Sequence, residues 1–351
     1  VTESPTASIA DFEETNRKSG TTDVRRVFRW DLDKTYLQTE FDTFGNLLRT
    51  ALQKAEEKQS VPGAPALMRE IRAAGQNRIS IISGSPRQMR RVLEQKLRID
   101  GVEWDEFILK PNLSNLMRGR FRALRDQVGY KLPALLESRR KFGHPVPEIL
   151  FGDDAEADAF VYSLYADLVA GRVKTSTLEE IMEACDLYPD QRMATRTTLK
   201  TLPKEDPVER IFIHLERHTP PARFTAYGRR VVPIYNFFQA ALVLFAERIL
   251  SGQAVLRVAA DMVSSAGYSL RSLSNSLQDL MRRGYAEVGA LTGLADEAEK
   301  YANPLDLFRP VRDIVEAFGR RIVPLADTIP AVPQEPANLD YLALIDDSRR
   351  H

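Results

Sequence analysis

Cysteine is nearly absent: Cys185 is the only one in 351 residues. No disulfide can form within the chain, and a reducing, cytoplasmic setting is the expectation. Histidine is scarce, four in all, and none stands in a Cys/His spacing suited to zinc; His214 and His218 read as structural. Net charge is missing too. Lys+Arg and Asp+Glu both count 49, so no global field recruits nucleic acid or an anionic membrane, and anion recognition has to be local. The most membrane-like stretch, VVPIYNFFQAALVLFA at 231–246, is broken by Pro233, Asn236 and Gln239 and falls short of the ~20 residues that span a bilayer. It reads as a buried helix, with Arg229, Arg230 and Arg248 at its flanks leaving peripheral contact with lipid as the alternative. The polar opening, residues 1–23, lacks the apolar core of a signal peptide; the chain starts on valine, which leaves an upstream segment open. Internal repeats are absent, and oligomeric state is not legible.

What is present is an alternation of short apolar runs with helical patterns, the rhythm of a parallel sheet with crossover helices. Strands are expected at Val24–Trp30, Arg78–Ile82, Phe107–Leu109, Glu148–Phe151 and Arg210–Leu215. Helices are expected at Phe44–Gln59, Ala64–Ala74, Gln88–Lys96, Leu132–Phe142 and Ala157–Ala170. Beyond about residue 220 only helices are expected: Ile234–Leu250, Ala254–Ser265, Leu270–Arg283, Gly289–Ala302 and Pro310–Arg321. The fold class is therefore α/β, a doubly wound parallel sheet with a C-terminal helical region. Its expected divisions are a polar tail over 1–23, the α/β domain over 24–220, the helical region over 221–323 and a proline-rich tail over 324–351.

In such a sheet, ligands bind beyond the carboxyl ends of the strands. The first strand ends at Asp31-Leu32-Asp33-Lys34-Thr35, the second at Ser83-Gly84-Ser85-Pro86, and the fourth at Gly152-Asp153-Asp154-Ala155-Glu156-Ala157-Asp158. Lys131 is placed at the start of the helix that precedes the fourth strand. Two aspartates one residue apart repel and resist desolvation unless a cation or a shared proton compensates them. Asp31 can be a nucleophile and Asp33 a proton donor, with Mg2+ offsetting their charge together with Asp153 or Asp154. Lys131 and the metal would neutralise a transferring phosphoryl group. Ser83 and the backbone N–H groups around Gly84 suit a phosphate oxygen, Ser85 a helix N-cap and Pro86 the first turn. Arg87 lies one turn from that cradle. The other arginines near it, Arg90 and Arg91, and the group Arg118, Arg120, Arg122 and Arg125 around Phe121, read as a solvated helix face.

These residues resemble the haloacid dehalogenase-like phosphatases: DLDKT matches their first motif, SGS their second, Lys131 their lysine and GDDAEAD their acidic fourth motif. More narrowly, over roughly residues 24 to 245 the chain is similar to the catalytic domain of the actin-patch type of phosphatidate phosphatases. The further marks are Pro62-Gly63, ISGSP at 82–86 and Ile211-Phe212-Ile213-His214. The resemblance implies a Rossmannoid fold and a Mg2+-dependent phosphomonoesterase working through an aspartyl-phosphate. It implies catalytic Asp31, Asp33 and Lys131, phosphate-binding Ser83, Gly84 and Arg87, and metal ligands among Asp31, Asp33, Asp153 and Asp154. The chain departs from the pattern at Lys34, where an acid is usual, and in an insertion between Tyr162 and Arg210. Phosphatidate or a related lipid phosphate is one substrate class left open; soluble metabolites or nucleic-acid ends are another. A binding module that keeps the fold without activity is the third reading, and a helix-turn-helix look over 254–287 belongs to it, although generic helix packing explains that segment equally. The segment Tyr36–Val61, the one sizeable insertion near the first motif, predicts a shallow, open site.

Overall fold

The computed structural model describes residues 24–38, 58–110, 120–142, 145–286, 293–294 and 338–350. The chain enters at β1 (Arg26–Trp30) and returns through α1 (Ala64–Ala73) to β2 (Asn77–Pro86). A 3-10 turn over Arg87–Met89 leads into α2 (Arg90–Ile99), β3 (Glu106–Lys110), α3 (Arg120–Arg140) and β4 (Glu148–Asp153). Then come α4 (Asp158–Val169), α5 (Thr175–Ala184), α6 (Pro189–Thr201), β5 (Val208–His214) and β6 (Val231–Ile234). The described residues close with α7 (Phe237–Ala246), α8 (Gly252–Ala266), α9 (Leu270–Arg282) and α10 (Tyr341–Arg350).

The six strands form one sheet in the order β3-β2-β1-β4-β5-β6, every neighbouring pair parallel. The order in which strands are laid down therefore reverses between β1 and β4, and the crevice at that switch point is where such sheets take ligands. Alternate strand residues feed two cores. Phe28, Trp30, Ile79, Phe151 and Phe212 face a layer that includes Leu67, Phe237 and Val255. Ile82, Leu150, Ile211 and Ile213 face Leu132, Leu164 and Ile181. On the first side Trp30 stacks on Phe151 at 3.9 Å and Phe151 on Phe212 at 4.9 Å, an aromatic seam across three strands that stiffens the floor of the switch point.

Several expectations are corrected. Val231–Ile234 is not the start of a helix but a sixth parallel strand, paired with β5. Pro233, which lacks an N–H, is tolerated because this strand is the sheet edge. The helix begins only at Phe237, where the Asn236 side chain accepts from Gln239 N. The boundary at 220 thus runs through the sheet, and α7 to α9 share the core of its first face. Lys131 lies inside a 21-residue helix rather than at its start, and Pro133 sits within that helix. The insertion between Tyr162 and Arg210 is the pair α5 and α6, with α6 packed along α3. Residues 341–350, expected in the proline-rich tail, form a helix whose Tyr341 hydroxyl donates to Asp167 at 2.6 Å. Residues 1–23, most of the expected helices Phe44–Gln59 and Gly289–Ala302, the helix at 310–321, and the prolines from Pro324 to Pro336 lie outside the described residues.

One charged group is buried on the second face. Arg29 on β1 forks onto Glu148 of β4 at 2.7 and 3.2 Å, and Arg139 and Tyr165 each donate to Glu148 at 2.7 Å. Burial alone would push Glu148 up, but the arginines and the phenol hold it below the usual carboxylate range. Removing one partner of a buried pair strands the other's charge. Glu148→Ala is expected to lower unfolding free energy by about 3–5 kcal/mol; a urea midpoint equal to wild type would overturn that account.

Candidate active site

β1 delivers Asp31 to the switch point, its N–H donating to the Phe151 carbonyl at 2.9 Å. The chain then turns back on itself: Tyr36 N and Leu37 N both donate to the Leu32 carbonyl, and Lys34 takes a left-handed φ of 61°. His214, at the end of β5, lies with Nδ1 3.1 Å from the Lys34 carbonyl and holds that turn. The turn presents Asp33 to the end of β2, where Ser83 and Ser85 donate their hydroxyls to Asp33 Oδ2 at 3.1 and 2.8 Å. Ser85 is therefore not a helix cap: β2 continues through Pro86, and its hydroxyl is used on Asp33. Burial pushes Asp33 up, the Glu156 charge adds to this, and the two serines work against it.

On the other side of Asp31 stands Lys131, wholly buried on α3. Its Nζ is 2.5 Å from Asp158, 2.8 Å from Glu156 and 3.1 Å from Asp31 Oδ1. The contact to Asp31 is an ion pair without hydrogen-bond alignment, so both carboxylate oxygens of Asp31 are buried without a hydrogen-bond partner. Burial works against the lysine charge, but Asp158, Asp31 and Glu156 raise its pKa well above the usual value. Asp158 comes this close because Gly152 has no side chain: a Cβ there would lie 2.4 Å from Asp158 Oδ2. Burial, opposed by Lys131 and aided by Glu156, pushes Asp158 up to about 6.

Asp153 ends β4. Its Oδ1 accepts from the N–H groups of Ala155 and Glu156 at 2.7 and 2.9 Å, and Thr35 donates to Oδ2 at 3.3 Å. Carboxylate oxygens of Asp31, Asp153, Glu156 and Asp158 all lie within 4.8 Å of one another. Asp154 is not among them. Its two oxygens accept from the backbone N–H groups of Arg217 and Thr219 at 2.8 and 3.0 Å, so it pins the loop after β5 and is corrected from metal ligand to loop anchor. Gly84 lies within the last residues of β2, and Arg87 is exposed on the 3-10 turn that follows. Of the other arginines, Arg90 is taken up by Glu94 and the Phe107 carbonyl, and Arg125 by Asp186.

The sequence reading brought Asp31, Asp33, Ser83, Lys131 and Asp153 to one place, and the structure puts them there. It assigned Glu156 and Asp158, which sit in the quoted GDDAEAD, no role at the site. It missed Lys58, buried where the segment after Gln38 rejoins the site and Gln59 accepts from Gln38 N. Burial lowers the Lys58 pKa, with the Asp33 charge opposing. Nothing local marks a lysine in a linker as buried.

The doubly wound parallel sheet and the charged groups at its switch point agree with the haloacid dehalogenase-like resemblance of the sequence. Residues 30–179 match the family described as phosphatidate phosphatase APP1, catalytic domain, a stretch that carries Asp31, Asp33, Ser83, Lys131 and Asp153. The chain is a phosphatase, a hydrolase acting on phosphoric monoesters. No curated protein and no solved structure matches it. No described helix is long and apolar enough to cross a membrane.

Proposed function

We propose that the chain is a Mg2+-dependent phosphatidate phosphatase that works through a phosphoryl group carried on Asp31. The observation that carries this reading is Asp31 itself: a fully buried carboxylate at the switch point, both oxygens without a hydrogen-bond partner, beside a buried lysine. Structural carboxylates in cores are hydrogen-bonded; one left open is built to meet something else. The lipid substrate class is supported by the family that residues 30–179 match.

The donor set fits a hard divalent cation. Carboxylate oxygens are what Mg2+ takes, and four clustered acids against one lysine leave negative charge uncompensated. Because Glu156 and Asp158 hold Lys131, Asp31 and Asp153 are the residues that would hold the metal, with Asp33 contributing its backbone carbonyl. Bound there, Mg2+ supplies charge neutralisation for Asp31 and for the phosphoryl oxygens.

The residues then divide the work. An Asp31 oxygen attacks phosphorus, the bond to the leaving oxygen breaks, and Asp33 gives that oxygen its proton. Burial, which keeps Asp33 protonated to higher pH than an ordinary aspartate, suits a donor. In the second half Asp33 takes a proton from the water that attacks the aspartyl-phosphate, and phosphate leaves with Asp31 restored. Lys131 stabilises charge on the phosphoryl group throughout. The backbone at Gly84 takes a phosphoryl oxygen, joined by Ser83 once its hydroxyl leaves Asp33, with Arg87 at the rim.

The test is phosphate release from phosphatidate in mixed micelles, beside sugar phosphates and 3′- or 5′-phosphorylated oligonucleotides. Preference for phosphatidate is expected; preference for a soluble substrate would overturn the lipid assignment. Chelation should abolish hydrolysis and Asp153→Asn should sharply weaken its metal dependence. Ca2+ should inhibit, because its looser coordination misplaces the nucleophile. Full activity in excess chelator would sink the metal reading.

A further inference from the structure

Two polar side chains on α3 have no role in the chemistry above. Gln127 lies one helical turn before Lys131, on the same face, and Tyr130 adjoins it. Gln127 Oε1 and the Tyr130 hydroxyl are both buried with no hydrogen-bond partner. Buried polar atoms are almost always paired, and orphans call for a specific reason. Their position supplies one. The Gln127 amide is the nearest group to the open side of Gly84, where a Cβ would stand 4.0 Å from Nε2. The Tyr130 hydroxyl lies within the fields of Lys131, Asp31 and Arg87, groups the proposed chemistry places about the phosphoryl group. Burial pushes its pKa up, so it stays a neutral O–H donor.

We propose that Tyr130 and Gln127 are substrate-binding residues that donate an O–H and an N–H to a non-bridging phosphoryl oxygen seated over Gly84. The amide nitrogen Nε2, not the orphaned Oε1, is the end on the Gly84 side, so Gln127 already turns a donor toward the anion. The pair approaches from the α3 side, while Ser83 and Ser85 are engaged by Asp33 on the other. The phosphoryl group is thus gripped between two elements, and α3 contributes three side chains to it rather than one. This inference rests on the phosphoryl-transfer reading of the site but not on the lipid assignment.

The probe is orthovanadate, a phosphate mimic, measured by calorimetry in Mg2+ buffer, together with KM for p-nitrophenyl phosphate. Tyr130→Phe and Gln127→Leu change no backbone and little volume. Each is expected to weaken vanadate binding roughly 10-fold, the scale of a hydrogen bond to a charged group. KM should rise in parallel and by more than kcat falls, as removal of a ground-state contact does. Melting temperatures at or above that of wild type would separate the effect from misfolding, since each variant also removes a buried orphan. Unchanged vanadate affinity in both variants overturns the proposal, as does a rise in KM alone, which would put the contact on the leaving group. Asp31→Asn is run alongside: turnover that survives in it overturns the nucleophile reading, whereas the vanadate affinities of the α3 variants judge this inference by themselves.

Discussion

Asp31→Asn is expected to lose turnover and covalent labelling together, while Asp33→Asn turns over slowly and still traps phosphate. The two aspartates lie one residue apart, yet the fold gives them different surroundings. Asp31 ends a central strand, with both oxygens open and Lys131 at 3.1 Å; without its negative oxygen no acyl-phosphate can form. Asp33 has one oxygen fixed by Ser83 and Ser85 and the other, Oδ1, buried and unpaired. The free oxygen is the one placed to carry the proton. Loss of general acid–base help costs about 10²–10⁴-fold, so Asp33→Asn should retain measurable activity on aryl phosphates, whose leaving groups need little protonation. An acid-stable, hydroxylamine-labile phosphoenzyme in Asp33→Asn and none in Asp31→Asn is the expected pair of results. Turnover in Asp31→Asn without deamidation back to aspartate would put the nucleophile elsewhere.

The carboxyl ends of β1, β2 and β4 were legible because each strand is an apolar run that stops abruptly on polar residues, and chemistry at a switch point concentrates there. What the sequence hid follows the same physics in reverse. β6 was invisible because VVPI runs without a break into the apolar α7, so nothing marks where the period changes from strand to helix; only Asn236, read as an interruption, is in fact the helix cap. The helix Tyr341–Arg350 was masked by the prolines before it. Asp153 and Asp154 are neighbours of one type, and their roles separate only when the loop after β5 returns to take Asp154 with two backbone N–H groups. Ser85 looked like a cap because Pro86 follows it, whereas strand register turns its hydroxyl to Asp33. Gln127 and Tyr130 carry no local signal: their meaning comes from the orphaned atoms they bring to Gly84. The Arg29–Glu148 pair is likewise a product of strand pairing, which sets residue 29 beside residue 150 and lets the arginine reach along β4.

Lys131→Met is expected to lower kcat by roughly 10²-fold or more, the scale of losing a preorganised electrostatic stabiliser. It should also cost stability, and the structure predicts how that cost varies with pH. The lysine is the shared counter-ion of Asp158, Glu156 and Asp31. Methionine fills the volume but leaves the buried Asp158 and Asp31 without their cation, a situation they escape by taking up protons. Even with the lysine present, burial pushes Asp158 up to about 6; without it the value rises further. A carboxylate whose folded pKa exceeds its unfolded one binds more protons in the native state, so stability falls as pH rises. The melting-temperature deficit of Lys131→Met against wild type should therefore be small near pH 5, where the acids are largely protonated, and widen steadily toward pH 8. The catalytic loss should remain at pH 5, because protonated acids restore the fold but supply no cation to the phosphoryl group. A thermal-shift series from pH 5 to 8 beside kcat at both ends separates the two effects. A deficit that does not change with pH would overturn the shared counter-ion account, and a folded variant with wild-type kcat would remove Lys131 from the catalytic machinery.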